Sequence, residues 1–158
     1  MTGPRFTEKA AMNMPRLIAG ALLLMVTAAS HAFDFKTVGM APVILYDAPS
    51  TKGEKLFVAP RGMPLEVVLS YGDWVKVRDA SGDLSWTEAK GLSAKHNVVV
   101  RVPGLKVRAS PDDNATPMFI AEKGVLLEVS DPPAGGWLKI RHRDGMTGFV
   151  KPSEVWGI

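Results

Sequence analysis

The stretch WVKVR at residues 74–78 recurs 63 positions later, as WLKIR at residues 137–141. In both copies Trp, Lys and Arg alternate with Val, Leu or Ile. This period-two alternation is typical of a half-buried β-strand. Because a strand-sized unit recurs at the spacing of a small domain, we predict that the chain is a tandem array of two similar units.

The residues around the two stretches follow the same order. A short β-rich run at residues 43–46 is matched by residues 105–108, each is followed by a Pro-containing loop, and LEV occurs at residues 65–67 and 127–129. With 15 Gly and 12 Pro in the chain, turns are frequent and the elements are short. We predict an all-β fold of two tandem small β-barrels with about five strands each. In the first copy, Leu65, Val67 and Leu69 are expected on one face of a strand and Glu66 on the other.

The N-terminal residues have the pattern of a secretory signal peptide. Arg5, Lys9 and Arg16 precede an apolar run at residues 17–29, which ends in SHA at residues 30–32. We predict a signal peptide at residues 1–32 with cleavage after Ala32, Met12 or Met14 being alternative starts. A membrane anchor is the other interpretation, but the apolar run is shorter than the roughly 20 residues that span a bilayer.

Charge and cysteine content exclude several classes of protein. Of 19 basic and 16 acidic residues, three and one fall within residues 1–32, which leaves 16 and 15. This balance does not favour a nucleic-acid binder, because such proteins concentrate basic residues on one face. The chain has no cysteine, so disulfides and thiolate metal sites are excluded. We expect an exported protein, located in the periplasm, with no stable membrane span after cleavage.

Domain limits follow from the repeat. We predict a first domain at residues 33–96, beginning with a lead-in at 33–40, and a second domain at residues 97–158. The strand expected at residues 98–102 either closes the first unit or opens the second. Single helical or 3₁₀ turns are expected within residues 87–93 and 152–156.

The second copy resembles the bacterial SH3 (SH3b) domain over residues 105–155. The segments that carry the resemblance are LKVRASP at 105–111, KG at 123–124, GWLKI at 136–140 and DGMTGFV at 144–150. Phe149 stands where the family usually has Trp. The first copy, residues 43–92, is more divergent, with Leu45-Tyr46 in place of Val-Arg and Ser85 in place of the second Gly. The resemblance implies two SH3-like barrels and a binding module of the bacterial envelope, a family in which several members bind peptidoglycan peptides.

The sequence predicts no enzyme. Only His96 and His142 remain after residue 32, and neither has neighbours at the spacing of a catalytic or metal-binding set. We therefore expect no catalytic residue, no metal site and no cofactor.

The aromatic residues of the repeated strand allow two interpretations. Trp74 shares a strand face with Lys76, and Trp137 shares one with Lys139 and Arg141, while the apolar residues between them face the core. Each Trp either caps the open end of its barrel or forms a shallow groove in which rings stack on a peptide or sugar and cations pair with carboxylates. The residues predicted to contact a ligand are Tyr46, Tyr71, Trp74, Lys76, Arg108, Trp137, Lys139 and Arg141.

Other side chains receive structural interpretations. Trp86 and Phe149 are expected to pack in the core or on a hairpin, and Trp156 to cover the barrel base. Lys139, Arg141 and Arg143 form a cationic row that either stays solvated, discouraging edge-to-edge aggregation, or meets a ligand.

We expect a non-catalytic envelope binding module that recognises peptidoglycan or its peptide stems. The alternative is a periplasmic adaptor that binds another envelope protein through a groove or a barrel edge.

Overall fold

The structure is a computed structural model that describes Gly3 and residues 33–158. Apart from Gly3, the predicted signal peptide lies outside the described residues. Residues 33–158 form two seven-stranded antiparallel sheets, one after the other along the chain, without an α-helix. Nothing in this described part is a helix of the length and apolarity required to cross a membrane. The all-β prediction is confirmed.

Seven strands form the first sheet, which we call the first barrel. They are β1 (Asp34–Val38), β2 (Val43–Tyr46), β3 (Lys55–Ala59), β4 (Pro64–Tyr71), β5 (Trp74–Arg78), β6 (Leu84–Glu88) and β7 (Leu92–Ser93). Their order in the sheet is β3-β2-β6-β5-β4-β1-β7. A 3₁₀ turn, Ala89–Gly91, joins β6 to β7 and lies inside the segment where such a turn was predicted.

The second barrel repeats this architecture. Its strands are β8 (Asn97–Val100), β9 (Leu105–Arg108), β10 (Pro117–Ala121), β11 (Leu126–Val129), β12 (Leu138–Arg141), β13 (Thr147–Val150) and β14 (Val155–Trp156), with a 3₁₀ turn at Pro152–Glu154. The order β10-β9-β13-β12-β11-β8-β14 matches the first sheet strand for strand. The internal sequence repeat is therefore a repeat of the whole topology.

Strand β8 answers the question that the sequence left open. It pairs with β11 on one side and β14 on the other, so it belongs to the second sheet. Its counterpart β1 pairs with β4 and β7 in the same way. The segment at residues 33–40, interpreted from sequence as a lead-in, is in fact the equivalent strand. Its apolar content is lower, which concealed the period-two pattern.

The repeated strands β5 and β12 are built as their alternation predicts. Val75 and Val77 are buried on the first barrel, and Leu138 and Ile140 are fully buried on the second. The intervening Lys and Arg side chains remain partly or largely exposed. Apolar residues therefore form the core, and the opposite face is open to solvent.

Strand β4 departs from the predicted alternation. Its pairing with β5 shifts between Val67 and Leu69, which marks a β-bulge at this point. The extra residue reverses the face of the side chains beyond it, and Leu69 is 44% exposed. The prediction that Leu65, Val67 and Leu69 share a core-facing side is wrong after Val67.

The two cores differ in composition. The first contains Val38, Leu45, Ala59, Leu65, Val75 and Val77. The second contains Val98, Val100, Leu105, Val107, Ala121, Leu127, Leu138, Ile140, Val150 and Val155. Where the second barrel has buried Val150, the first has Thr87, whose hydroxyl donates a 3.1 Å hydrogen bond to the carbonyl of Ile44. The first core is thus smaller and more polar.

The barrels contact each other within one compact unit, Ala32–Ile158. The Thr37 hydroxyl donates to the carbonyl of Lys95 at 2.6 Å, and the Asn97 side-chain amide donates to the carbonyl of Gly62 at 2.9 Å. Trp156, expected to cover a barrel base, makes a T-shaped contact with Phe35 of the first barrel, with ring centroids 5.0 Å apart. The Thr37–Lys95 bond joins the connecting segment to the first barrel, and the other two contacts join the barrels directly.

Candidate functional site

On the first barrel, three aromatic rings and a lysine meet on the outer face of the sheet. We call Tyr46, Trp74, Lys76 and Trp86 the first aromatic surface. Tyr46 lies opposite Trp86 across β2 and β6, and Lys76 lies opposite Trp86 across β5 and β6. Residues directly opposite in antiparallel strands share a face. The Lys76 Nζ is 5.9 Å from the centre of the Trp86 ring, within the range of a cation–π contact.

Two predicted ligand contacts, Tyr46 on this surface and Tyr71 next to it, differ greatly in exposure. Tyr46 is only 8% exposed and packs against Trp74 in a T-shaped arrangement, with centroids 5.6 Å apart. Its main contribution is therefore to hold the Trp74 ring in position. Tyr71 is 66% exposed and lies opposite Trp74 at the end of the β4–β5 hairpin.

The second barrel carries an equivalent surface with more cations. We call Arg108, Trp137, Lys139, Phe149 and Lys151 the second aromatic surface. Phe149 lies opposite Arg108 on one side and Lys139 on the other. The Lys151 Nζ is 5.4 Å from the centre of the half-buried Trp137 ring and also forms an ion pair with Asp113. The Trp and its cation are therefore within contact distance of one another.

Like Lys151, the other two cations of the second surface already have partners in the chain. The Arg108 Nη1 donates a 2.9 Å hydrogen bond to the carbonyl of Ala115, which ties β9 to the loop that follows it. The Lys139 Nζ lies 3.1 Å from a carboxylate oxygen of Asp131. This exposed pair is weak, so a ligand carboxylate can compete for Lys139 at little cost.

The surfaces differ at one decisive position. Glu88 lies opposite Trp74 on the first barrel, and Lys151 takes the equivalent place next to Trp137 on the second. Lys90 pairs with Glu88 at 3.1 Å. Trp74 on the first barrel therefore has an acidic residue opposite it, whereas Trp137 on the second barrel has a basic residue beside it.

Three residues of the surfaces were interpreted differently or missed from sequence. Trp86 and Phe149 were expected to pack in the core or on a hairpin, but they lie outside both buried clusters, because Ser85 and Thr87 take the inward positions beside Trp86. Lys151 was not identified. Extending the alternation of β13 by two residues beyond Phe149 is the signal that would have found it.

Arg141 is separated from the residues with which it was grouped. It lines a groove of about 1800 Å³ between the two barrels, together with Arg143 and with Arg61 of the first barrel. Lys139 does not line this groove and pairs with Asp131 instead, so the three cations of the predicted row do not face one common space. We call this groove the inter-barrel groove.

The β12–β13 turn contains Asp144, whose pKa is lowered. The imidazole of His142, whose Nδ1 lies 2.8 Å from an oxygen of Asp144, is the main cause that lowers the pKa of Asp144 below its ordinary value of 3.8. The backbone N–H of Met146 adds to the effect. Nowhere in residues 33–158 do three or more His, Cys, Asp or Glu side chains gather in the way that would hold a metal ion.

Solved structures similar to the chain share little of its sequence. NlpC2 from Trichomonas vaginalis is 11% identical, with 79% of this chain and 48% of that one covered and a TM-score of 0.37. NlpC1 from the same organism is 11% identical, with 85% and 49% covered and a TM-score of 0.37. An NlpC/P60 family protein from Bacillus cereus ATCC 10987 is 13% identical, with 78% and 56% covered and a TM-score of 0.36. The chain thus spans about half the length of these proteins.

No curated protein matches the chain at a significant level. The family comparison is more specific. The family model described as "Bacterial SH3 domain" matches twice, at residues 40–94 and at residues 97–157. The matched segments contain β2 to β7 and β8 to β14, and with them both aromatic surfaces. The chain therefore belongs to the bacterial SH3 domain family, of which it contains two tandem copies.

Proposed function

We propose that the chain is a non-catalytic binding module of the bacterial envelope and that it recognises peptidoglycan through the peptide stems. The bacterial SH3 domain is a binding module, typically extracellular or associated with the envelope. The observation that carries the proposal is that each barrel holds a cation beside a half-buried indole: the Lys76 Nζ lies 5.9 Å from the centre of the Trp86 ring, and the Lys151 Nζ lies 5.4 Å from that of Trp137.

The chemistry of the second aromatic surface suits such a ligand. Peptide stems carry carboxylates at their side chains and termini, and Lys139 and Lys151 can form charge-assisted hydrogen bonds with them. The Trp137 ring offers a flat apolar face for aliphatic portions of the stem. Because a half-buried Trp is already ordered, little side-chain entropy is lost on binding.

Co-sedimentation with purified sacculi tests the proposal. Residues 33–158 should sediment with intact sacculi, and the double variant Trp86→Ala/Trp137→Ala, which removes the ring of each Trp–cation pair, should leave most of the protein in the supernatant. Phe57→Ala is the matched control, because Phe57 is an exposed aromatic residue on β3 that lies outside both aromatic surfaces. Failure of the unaltered protein to sediment would refute peptidoglycan recognition.

A second function, that of an adaptor for another envelope protein, is favoured by the free edge of each sheet. Strand β3 pairs only with β2, and its Leu56, Phe57 and Val58 are 50–60% exposed. On the second barrel the edge strand β10 exposes Met118 and Ile120. An extended segment of a partner can add to such an edge by backbone hydrogen bonds.

In-cell photocrosslinking separates the two functions. A photoreactive residue at position 57 should give a discrete protein adduct if the chain is an adaptor. The same residue at position 139 should give a heterogeneous cell-wall product if the chain binds peptidoglycan.

A further inference from the structure

The inter-barrel groove is larger than a site for a single small molecule. Its volume of about 1800 Å³ exceeds the roughly 300–1000 Å³ of typical small-ligand pockets. Both barrels supply its walls. Met40 and Leu92 come from the first barrel, Lys95 from the connecting segment, and Leu126 and Arg141 from the second barrel. Its size therefore suits an extended chain.

The groove concentrates positive charge. Five cationic side chains line it, against only the two acidic side chains of Glu88 and Glu128. Across the whole of residues 33–158, by contrast, basic and acidic side chains are almost balanced, at 16 and 15. Both groove carboxylates are engaged, Glu88 by Lys90 and Glu128 by Lys95, each at 3.1 Å. His142, which also lines the groove, contacts Asp144.

Three guanidinium groups remain for a ligand. Arg61, Arg141 and Arg143 are exposed and form no ion pair with any residue in the described part of the chain. They come from both barrels, so a ligand that meets all three must cross the junction. Guanidinium groups recognise carboxylates by paired, parallel hydrogen bonds.

The repeat reveals why Arg141 is available. On the first barrel Glu66 lies opposite Arg78 and holds it with hydrogen bonds of 2.9 and 3.2 Å. On the second barrel Glu128 lies opposite Arg141 in the same register, but its carboxylate pairs with Lys95. Lys95, from the segment between the barrels, thus forms an ion pair with Glu128, the residue whose carboxylate would otherwise neutralise Arg141.

Apolar walls and a fixed geometry narrow the class of ligand. Met40, Leu92 and Leu126 border the groove beside the cations. A phosphate polymer has no side chains to cover such residues, whereas a peptide has both carboxylates and apolar side chains. The hydrogen bond from Asn97 to the carbonyl of Gly62 joins the two walls, so the groove is formed before a ligand arrives.

We propose that the inter-barrel groove binds an extended acidic peptide, whose carboxylates accept hydrogen bonds from Arg61, Arg141 and Arg143. The groove is a second site, separate from the aromatic surfaces except that Tyr46 borders both. The proposal does not depend on peptidoglycan recognition, because a cell-wall stem and a segment of a protein both provide this chemistry.

Fluorescence anisotropy with a labelled peptide tests the proposal. The probe is a ten-residue peptide with three Glu spaced among Ala and Val, and the same peptide with Gln at those positions is the neutral comparison. The Glu peptide should bind and the Gln peptide should bind at least about tenfold more weakly, as expected for charge-assisted hydrogen bonds. Arg61→Glu and Arg143→Glu should each weaken binding of the Glu peptide by about tenfold or more.

The matched controls reverse exposed charges outside the groove, one on each barrel. Lys55→Glu and Lys106→Glu change the net charge equally and should leave affinity within about twofold. Equal losses in all four variants would overturn the proposal, because the attraction would then be non-specific. Tighter binding of a ten-unit polyphosphate with the same dependence on Arg61 and Arg143 would also overturn it. Circular dichroism establishes that each variant is folded.

Two further measurements identify the source of the peptide and separate this site from the proposed function. Competition by stem peptides released from sacculi would assign a cell-wall source, and no competition would assign a protein segment. Arg61→Glu/Arg143→Glu should sediment with sacculi if the aromatic surfaces suffice. Sedimentation that is lost in the Trp variants, with peptide binding retained, would place the two activities at different sites.

Discussion

Lys151 holds its Nζ atom 5.4 Å from the centre of the Trp137 ring, and the equivalent position on the first barrel is occupied by Glu88. A cation beside an indole creates a site for carboxylates, whereas an acid beside it repels them. The two barrels share one topology and differ in this local charge. Binding of an anionic ligand is therefore expected to be unequal between them.

The first prediction is that Trp137→Ala weakens sedimentation with sacculi more than Trp74→Ala does. Loss of the Trp137 ring removes both the stacking surface and the contact that orders Lys151, for an expected loss of about tenfold. Trp74 packs against buried Tyr46, so its substitution should act mainly on the stability of the first barrel. Equal losses of affinity in the two variants would contradict the expected inequality between the two barrels.

The sequence was sufficient to predict the architecture where apolar residues alternate strictly. Strands β5 and β12 bury Val77 and Ile140 as expected, because burial of one face is the dominant energy in a small barrel. Strand β1 was missed because Thr37 is its buried polar residue and interrupts the apolar pattern. The bulge in β4 was missed because an unpaired residue in one strand is set by pairing with the next one, which a local pattern does not contain.

The candidate site was predicted in part for similar reasons. The period-two alternation predicted that Trp74 and Lys76 share one strand face and that Trp137 and Lys139 share another, since each pair lies on a single strand. It did not predict the separation of Arg141 into the inter-barrel groove, because that depends on how two distant segments pack. Local alternation also gave no indication that Lys95 engages Glu128, a contact between residues 33 positions apart.

The second prediction concerns the two equivalent glutamates. Glu66→Ala should lower the free energy of unfolding by about 1–3 kcal/mol, because it removes two charge-assisted hydrogen bonds and leaves Arg78 without its acid. Glu128→Ala, at the equivalent position, breaks an exposed pair with Lys95 and should cost less than about 1 kcal/mol. Urea denaturation measures both. A larger cost for Glu128→Ala would be inconsistent with the observed difference in burial.

The third prediction concerns Gly148. A Cβ atom at this position would lie 2.7 Å from the carbonyl oxygen of Arg108 and 2.5 Å from a methyl group of Val107. Gly148→Ala should therefore force β13 and β9 apart and cost about 1–3 kcal/mol, as overpacking does. Ser85→Ala, at the equivalent position of the first barrel, should change stability by less than about 1 kcal/mol. Thermal unfolding by calorimetry compares the two, and similar shifts would argue against close approach at Gly148.

The fourth prediction follows from the lowered pKa of Asp144. A carboxyl group whose pKa is lower in the folded state stabilises the fold above its ordinary value of 3.8. That contribution is lost as the pH falls through the lowered folded value. His142→Ala removes the main cause, so the titration midpoint of Asp144 followed by carboxyl NMR should move up towards 3.8. His96→Ala is the control and should leave the midpoint unchanged.

The fifth prediction is that Asn97 couples the two barrels. Its side-chain amide donates a 2.9 Å hydrogen bond to the carbonyl of Gly62, and its backbone N–H donates to the Thr37 hydroxyl at 3.3 Å. Asn97→Ala removes only the first of these bonds, worth about 1 kcal/mol, while both cores stay intact. We expect stability to fall slightly and the barrels to reorient more freely. Residual dipolar couplings of the unaltered protein should fit one alignment tensor, and those of the variant should need two.

Asn114→Ala is the control for this change, since Asn114 is exposed in the loop between β9 and β10. Its couplings should still fit a single tensor. If Asn97→Ala also fits one tensor, then the Thr37 hydroxyl bond to Lys95 and the Phe35–Trp156 contact are enough to hold the barrels together. In that event the double variant Thr37→Val/Asn97→Ala should allow the barrels to reorient. Its affinity for the acidic peptide should also fall, because both walls of the inter-barrel groove must be held in place to present Arg61 and Arg141 together.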